Sequence, residues 1–234
     1  MSGFDRELRL LSDGTIGLVG QIAESSNFVL AADLTLGDEY GWAIYKPQAG
    51  EQPLHDFPPG LHVRERAAFL VSEHLGWHVV PPTVIREDAP AGVGSLQWFL
   101  DLNGEHYFTL FDDHPDTHDQ LRRIAVFDFL INNTDRKSGH VLQDESGRIW
   151  GIDHGLCFNP ATRLRTVIWD FQEEEIAPEL QADLERFARD IPAEVTALLS
   201  DEEAELLQRR ADRMVRLPFL PRPWADYQYP WPLV

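Results

Sequence analysis

Asn132-Asn133-Thr134-Asp135-Arg136-Lys137-Ser138-Gly139-His140, together with Gly151-Ile152-Asp153-His154-Gly155 beyond it, decides how this chain is read. The first stretch follows an apolar segment with helical spacing, Leu121, Ile124, Phe127 and Ile131, so it is a loop leaving a helix. Asn132-Asn133 stops that helix. Between the two stretches, His140-Val141-Leu142-Gln143 and Arg148-Ile149-Trp150-Gly151-Ile152 flank Asp144-Glu145-Ser146-Gly147, a hairpin signal. The hairpin folds back on itself, so His140 and Asp153 fall roughly opposite one another at one end. An imidazole and a carboxylate so placed can hold a divalent metal ion, with Asp135 reaching in from the loop.

Upstream the pattern changes. Gly41-Trp42-Ala43-Ile44-Tyr45-Lys46 predicts a short strand that Pro47 stops. Leu8-Arg9-Leu10-Leu11, Ile16 to Ile22, and Asn27 to Leu34 read as further strands. Residues 47–60 hold six prolines and glycines and form a loop. Arg64 to Leu75 is helical, with Ala67, Ala68, Val71 and Leu75 on one face and Gly76 as its stop. Residues 79–85 and 95–102 are extended. Downstream, Thr117-His118-Asp119-Gln120 reads as a capping box. Residues 179–190 and 201–216 are two more helices, the second behind the box Ser200-Asp201-Glu202-Glu203. This order predicts an α+β fold with two lobes. The smaller, residues 1–100, is a sheet with one helix; the larger, residues 101–234, is mainly helical.

Composition narrows the function. With 39 acidic and 20 basic residues the formal charge is −19, which repels nucleic acid and anionic bilayers. No apolar run approaches a membrane span, and the first residues lack a secretory signal. The lone Cys157 forbids an internal disulfide, and together these features predict a cytoplasmic protein. Only Lys46 and Lys137 among the basic residues are lysines. Arginine serves elsewhere as the generic cation, so these two mark places for a compact ammonium.

The two deciding stretches resemble the catalytic core of the protein-kinase-like superfamily. Asn133-Thr134-Asp135-Arg136 and Ile152-Asp153-His154-Gly155-Leu156 are most similar to phosphatidylinositol 3-/4-kinase relatives, especially the type II 4-kinases, and more distantly to HipA-type kinases. The whole chain resembles a compact actinobacterial subgroup of that family. The resemblance implies ATP and a divalent ion, Mg²⁺ or Mn²⁺, bound between the lobes. It implies that Lys46 holds the α/β-phosphates and that Glu65 orients it. Ser25, Ser26 and Asn27 would cover the phosphates, and the strand with Gln97 and Phe99 would meet adenine. His140 and Asp153 would hold metal, Asp135 would accept the acceptor's proton, and Arg136 or Lys137 would neutralise the transferring group. The acceptor hydroxyl is not legible: a protein, a small molecule and an inositol lipid all remain open. His140 departs from the family's asparagine, which favours manganese and keeps a nucleotide-binding pseudokinase as an alternative.

Other features carry competing readings. Asp112-Asp113-His114-Pro115-Asp116-Thr117-His118-Asp119 is a metallophosphoesterase candidate or a solvated helix entrance. Asp128, inside an apolar helix, either holds the backbone of the catalytic loop or lies on an exposed stripe. Glu73 is a substitute for Glu65. The tail with five prolines, Trp224 and Trp231 either packs on the larger lobe or meets a protein partner, a second copy included.

Overall fold

The computed structural model describes residues 3–22, 28–54, 57–160, 163–223 and 228–234. Five antiparallel strands form the first sheet: β1 (Thr15–Gln21), β2 (Leu30–Leu36), β3 (Glu39–Pro47), β4 (Thr83–Arg86) and β5 (Gly94–Trp98), in the order β1-β2-β3-β5-β4. In β3 the odd-numbered Ala43 and Tyr45 are buried. Ile44 and Lys46 therefore project from the opposite face of the pleat.

The Leu8–Leu11 region, expected as a strand, is part of a helix, α1 (Asp5–Asp13). Over four residues an alternating pattern also fits a helix, and here the longer range decides. Leu8 and Leu11 lie three positions apart beside Leu10, while Arg6, Arg9 and Asp13 take the other side. Leu10 and Leu11 are fully buried against Leu34, Tyr45 and Leu96 on one face of the sheet.

The other face meets α2 (Leu61–Leu75). Its start is capped from the preceding loop: the Glu51 carboxylate accepts from the backbone N–H of Gly60 (2.8 Å) and His62 (3.3 Å). A carboxylate there also meets the positive end of the helix dipole. Gly76 ends the helix with φ 75°, a left-handed turn that favours glycine.

A second sheet, β6 (Leu102–His106), β7 (Val141–Asp144) and β8 (Ile149–Gly151), carries the hairpin. Around it lie α3 (Tyr107–Asp113), α4 (His118–Ile131), α5 (Pro178–Arg189), α6 (Ala193–Thr196) and α7 (Asp201–Arg216). Thr117 is not the expected cap: its backbone is helical and its hydroxyl donates back to the His114 carbonyl at 2.7 Å. The Ser200 box does form, with Ser200 N–H donating to Glu203 Oε2 at 2.9 Å.

The apolar interior is divided unevenly. One cluster joins α1 to the first sheet. The larger joins Ala67, Phe69 and Val71 of α2 to Phe127 of α4, Leu184 of α5 and Leu207 and Met214 of α7. By packing, α2 therefore sides with the carboxy-terminal helices, although it precedes residue 100. Among the described residues, no helix is long and apolar enough to cross a membrane.

Candidate active site

Asp128 is buried, and this settles the geometry of the loop beyond α4. Its two oxygens accept from Arg136 Nε (2.8 Å) and Nη2 (2.9 Å), a bidentate pair. Arg136 Nη1 donates to the carbonyls of His140 (2.9 Å) and Ile152 (2.7 Å), and Nη2 also reaches His154 Nε2 at 2.8 Å. The five N–H donors of a guanidinium are thus all engaged inside the protein. This corrects the expectation for Arg136. It does not face a phosphoryl group; it is fully buried and ties the loop to His140 and Ile152, the residues that flank the hairpin. Asp128 likewise holds side chains, those of Arg136 and Asn133, rather than the loop backbone.

Asn133, which no sequence signal singles out, braces the loop from within. Its amide donates to Asp128 Oδ1 at 3.0 Å, and its oxygen accepts from the backbone N–H of Asp135 at 3.0 Å. Thr134 is fastened to the Leu156 carbonyl through both its N–H (3.0 Å) and its hydroxyl (2.8 Å). Asp135 therefore stands on a rigid stretch. Lys137 Nζ lies 3.4 Å from Asp135 Oδ2. Burial raises the Asp135 carboxyl to about 6, against the lowering pull of Lys137 and with the raising push of Asp153.

Lys46 comes down from β3 to meet two carboxylates. Its Nζ is 2.5 Å from Glu65 Oε1 on α2 and 3.0 Å from Asp153 Oδ1. Burial works against the ammonium, but Asp153 and Glu65 outweigh it and hold the lysine above its ordinary range. Glu65 Oε2 accepts from the backbone N–H of His154 at 3.1 Å, so one carboxylate spans the lysine and the segment beside Asp153. Lys46 pulls the Asp153 carboxyl well below the usual range, against burial. The Asp153 backbone is left-handed, φ 59°. Beside these groups is a cavity of about 180 Å³, with Phe28, Pro47, Leu54, Leu61 and Leu156 as its apolar wall.

His140 Nδ1 donates to the Asp135 carbonyl at 3.0 Å. Burial lowers the imidazole to about 4, with Asp153 opposing, so the ring is neutral at physiological pH. Its Nε2 then carries a lone pair, 3.4 Å from Asp153 Oδ2. That lone pair and the Asp153 oxygen form a nitrogen–oxygen donor pair, a set that fits a divalent metal. The expectation that Asp135 joins them is not met. Among the described residues no group of three or more His, Cys, Asp or Glu side chains converges as a metal site. Further ligands to an ion here would be nucleotide oxygens and water, the usual company of magnesium and manganese.

Other expected residues fall elsewhere. Gln97 is buried and its amide donates to Thr83 Oγ1 at 2.9 Å, so its side chain does not face a nucleotide. Phe99 is 45% exposed at the end of β5, its N–H on the Trp42 carbonyl. Ser25, Ser26 and Asn27 lie outside the described residues. Glu73 accepts from His78 Nδ1 at 2.7 Å, far along α2 from Lys46. In the acidic run, Asp119 is exposed and pairs with Arg122, while His118 stacks on Phe111 and donates to its carbonyl. Cys157 is buried, and burial pushes its thiol up, so it is inert packing. The tail packs back on the loop: the Leu233 carbonyl accepts from Ser138 N–H at 2.8 Å, and that of Gln228 from Thr166 N–H at 3.1 Å.

The chain is similar to several known proteins. Residues 45–193 match the family Phosphatidylinositol 3- and 4-kinase. Protein Rv2133c of Mycobacterium tuberculosis is 35% identical over 97% of this chain and 95% of its own length. Phosphatidylinositol 4-kinase gamma 4 of rice, Oryza sativa subsp. japonica, is 29% identical over 51% of this chain, a match spanning only 25% of the plant protein. The crystal structure of the Golgi casein kinase with Mn/ADP bound superposes with a TM-score of 0.57 at 15% identity, covering 91% of this chain and 74% of that one. That likeness places the fold, a two-lobed kinase-like α+β architecture, on the same footing as the sequence match. The chain belongs to the phosphatidylinositol 3- and 4-kinase family.

Proposed function

We propose that this protein is an ATP-dependent phosphotransferase that moves the γ-phosphoryl group to a hydroxyl acceptor. The observation that carries the reading is Lys46 Nζ held between Glu65 and Asp153, with the Asp135 carboxyl lining the same cavity. Lys46 would bind the α/β-phosphates, kept in place by Glu65. Asp153 and His140 would hold Mn²⁺ or Mg²⁺, which supplies positive charge for the phosphate oxygens. Asp135 would orient the acceptor hydroxyl and take its proton as the oxygen bonds to phosphorus and the ADP oxygen departs. Lys137 faces the group in transfer; Arg136 only holds the loop. Positioning and electrostatics account for most of the rate in such reactions, so this small set suffices.

The nitrogen ligand His140 favours manganese. The Golgi casein kinase, whose fold this chain shares, was crystallised with Mn/ADP, a metal and nucleotide of the class proposed here. The name of the plant relative suggests an inositol lipid, but a charge of −19 disfavours an anionic membrane surface. A protein or small-molecule hydroxyl suits the electrostatics better. The decisive experiment follows labelled phosphate from ATP into fractionated cell extract, comparing the unaltered protein with Asp135→Ala. Equal labelling by both proteins would refute the reading. Nucleotide binding without any transfer would support the second reading, a pseudokinase, for which the histidine at position 140 in place of the family's asparagine speaks.

A further inference from the structure

Helix α2 is braced by the carboxy-terminal helices at both ends. At its far end Arg186 of α5 donates to the Leu75 carbonyl at 3.1 Å, and Trp77 just beyond donates to Asp183 of α5 at 2.8 Å. Glu194 of α6 meets His74 at 2.5 Å. At its near end Arg64, the neighbour of Glu65, donates to Glu203 Oε1 at 2.5 Å. Both side chains of that pair are more than nine-tenths buried. The guanidinium also lies over the Phe57 ring, 5.7 Å from its centroid.

Glu203 works in two directions. Its Oε2 closes the capping box of α7 on Ser200 N–H (2.9 Å) and Oγ (3.0 Å), and its Oε1 takes Arg64. The carboxylate is therefore fixed by a helix start before it meets α2. Burying two charges is costly, and an apolar pair of similar volume is often as good for stability alone. A buried pair one residue from Glu65 has a second use: it sets how far α2 advances toward Lys46 and His154.

We infer that Arg64 and Glu203 are positioning residues, through which the start of α7 holds Glu65 against Lys46. The inference rests on the proposed nucleotide role of Lys46. Glu65 must reach Lys46 and the His154 N–H at once, so a small retreat of α2 breaks both contacts.

The test is calorimetric titration of the full chain with manganese and the non-hydrolysable ATP analogue AMP-PNP. Four proteins are compared: unaltered, Arg64→Met/Glu203→Gln, Glu65→Gln, and all three changes together. Glutamine still completes a capping box, and methionine leaves no orphaned charge, so the double variant should fold. Circular dichroism checks that each protein is folded at the titration temperature. The double variant should bind roughly tenfold more weakly, within the usual range for coupling between sites. In the Glu65→Gln background the same two changes should have almost no further effect, because they act through Glu65. A folded double variant with unchanged affinity overturns the inference. So does a full additional loss in the triple variant, which is what general loosening would give. No binding by the unaltered protein would overturn the nucleotide reading itself.

Discussion

Asp128→Asn isolates the role of Arg136. The substitution keeps the volume but replaces a bidentate acceptor, one oxygen for each of two guanidinium nitrogens, by one oxygen and an NH₂ that faces donors. Arg136 is fully buried, so its charge is left without a counterion. Breaking such a pair from one side costs about 3–5 kcal/mol. For a chain of this size each kcal/mol lowers Tm by about 2–4 °C, so the expected fall is roughly 6–20 °C. Thermal unfolding by circular dichroism at neutral pH measures it. The companion double variant Asp128→Leu/Arg136→Met should recover much of that loss, because no charge is stranded. It should not recover nucleotide turnover, because the His140 and Ile152 carbonyls lose the donor that draws them together. A Tm change in Asp128→Asn of less than about 2 °C, the size of an ordinary surface substitution, would refute the assignment and return Arg136 to the reacting face.

Lys46→Ala should abolish or strongly weaken nucleotide binding, and Lys46→Arg should also impair it, because a planar fork does not fit between Glu65 and Asp153; calorimetry reads both. Asp135→Asn should keep nucleotide affinity while transfer falls about 10²–10⁴-fold, the usual worth of a positioned base, whereas Asp153→Asn should lose metal-dependent binding. With Asp135 raised to about 6, the protein without metal should show that carboxyl ionising near pH 6 by carbon NMR, the base form prevailing above. His140→Asn should shift preference from manganese toward magnesium in titrations with each ion, since an oxygen replaces the nitrogen. With His140 lowered to about 4, manganese binding by the unaltered protein should persist at about pH 5, where an ordinary histidine would already be protonated.

The parts of this site that the sequence makes legible share a physical basis. Asp135, His140 and Asp153 lie on one loop and one hairpin, so local spacing places them together without knowledge of the fold. Lys46 and Glu65 are far away along the chain, and only the family resemblance linked them to Asp153. Arg136 turns inward although it neighbours Asp135, because proximity in sequence says nothing about which way a side chain turns. The buried Asp128 was the available signal, since a carboxylate inside an apolar helix demands donors and Arg136 lies eight positions on. Arg64–Glu203 spans 139 positions, and no local pattern reports such a contact. For α1 the reason differs: Leu8-Arg9-Leu10-Leu11 is too short to separate a period of two from one of 3.6, and only burial against the sheet does so.

The left-handed backbone at Asp153 has a consequence for how this position can change over generations. Among residues with a side chain, aspartate and asparagine tolerate that conformation best, and glycine accepts it freely. Glutamate would keep the negative charge but adds about 1–2 kcal/mol of backbone cost. Substitutions that spare the turn, asparagine and glycine, thus discard the charge, and the one that spares the charge strains the turn. A lineage that gave up the proposed reaction would therefore drift first to asparagine or glycine here, keeping its shape. Such a replacement in a relative would mark lost chemistry on an intact scaffold, readable from one position.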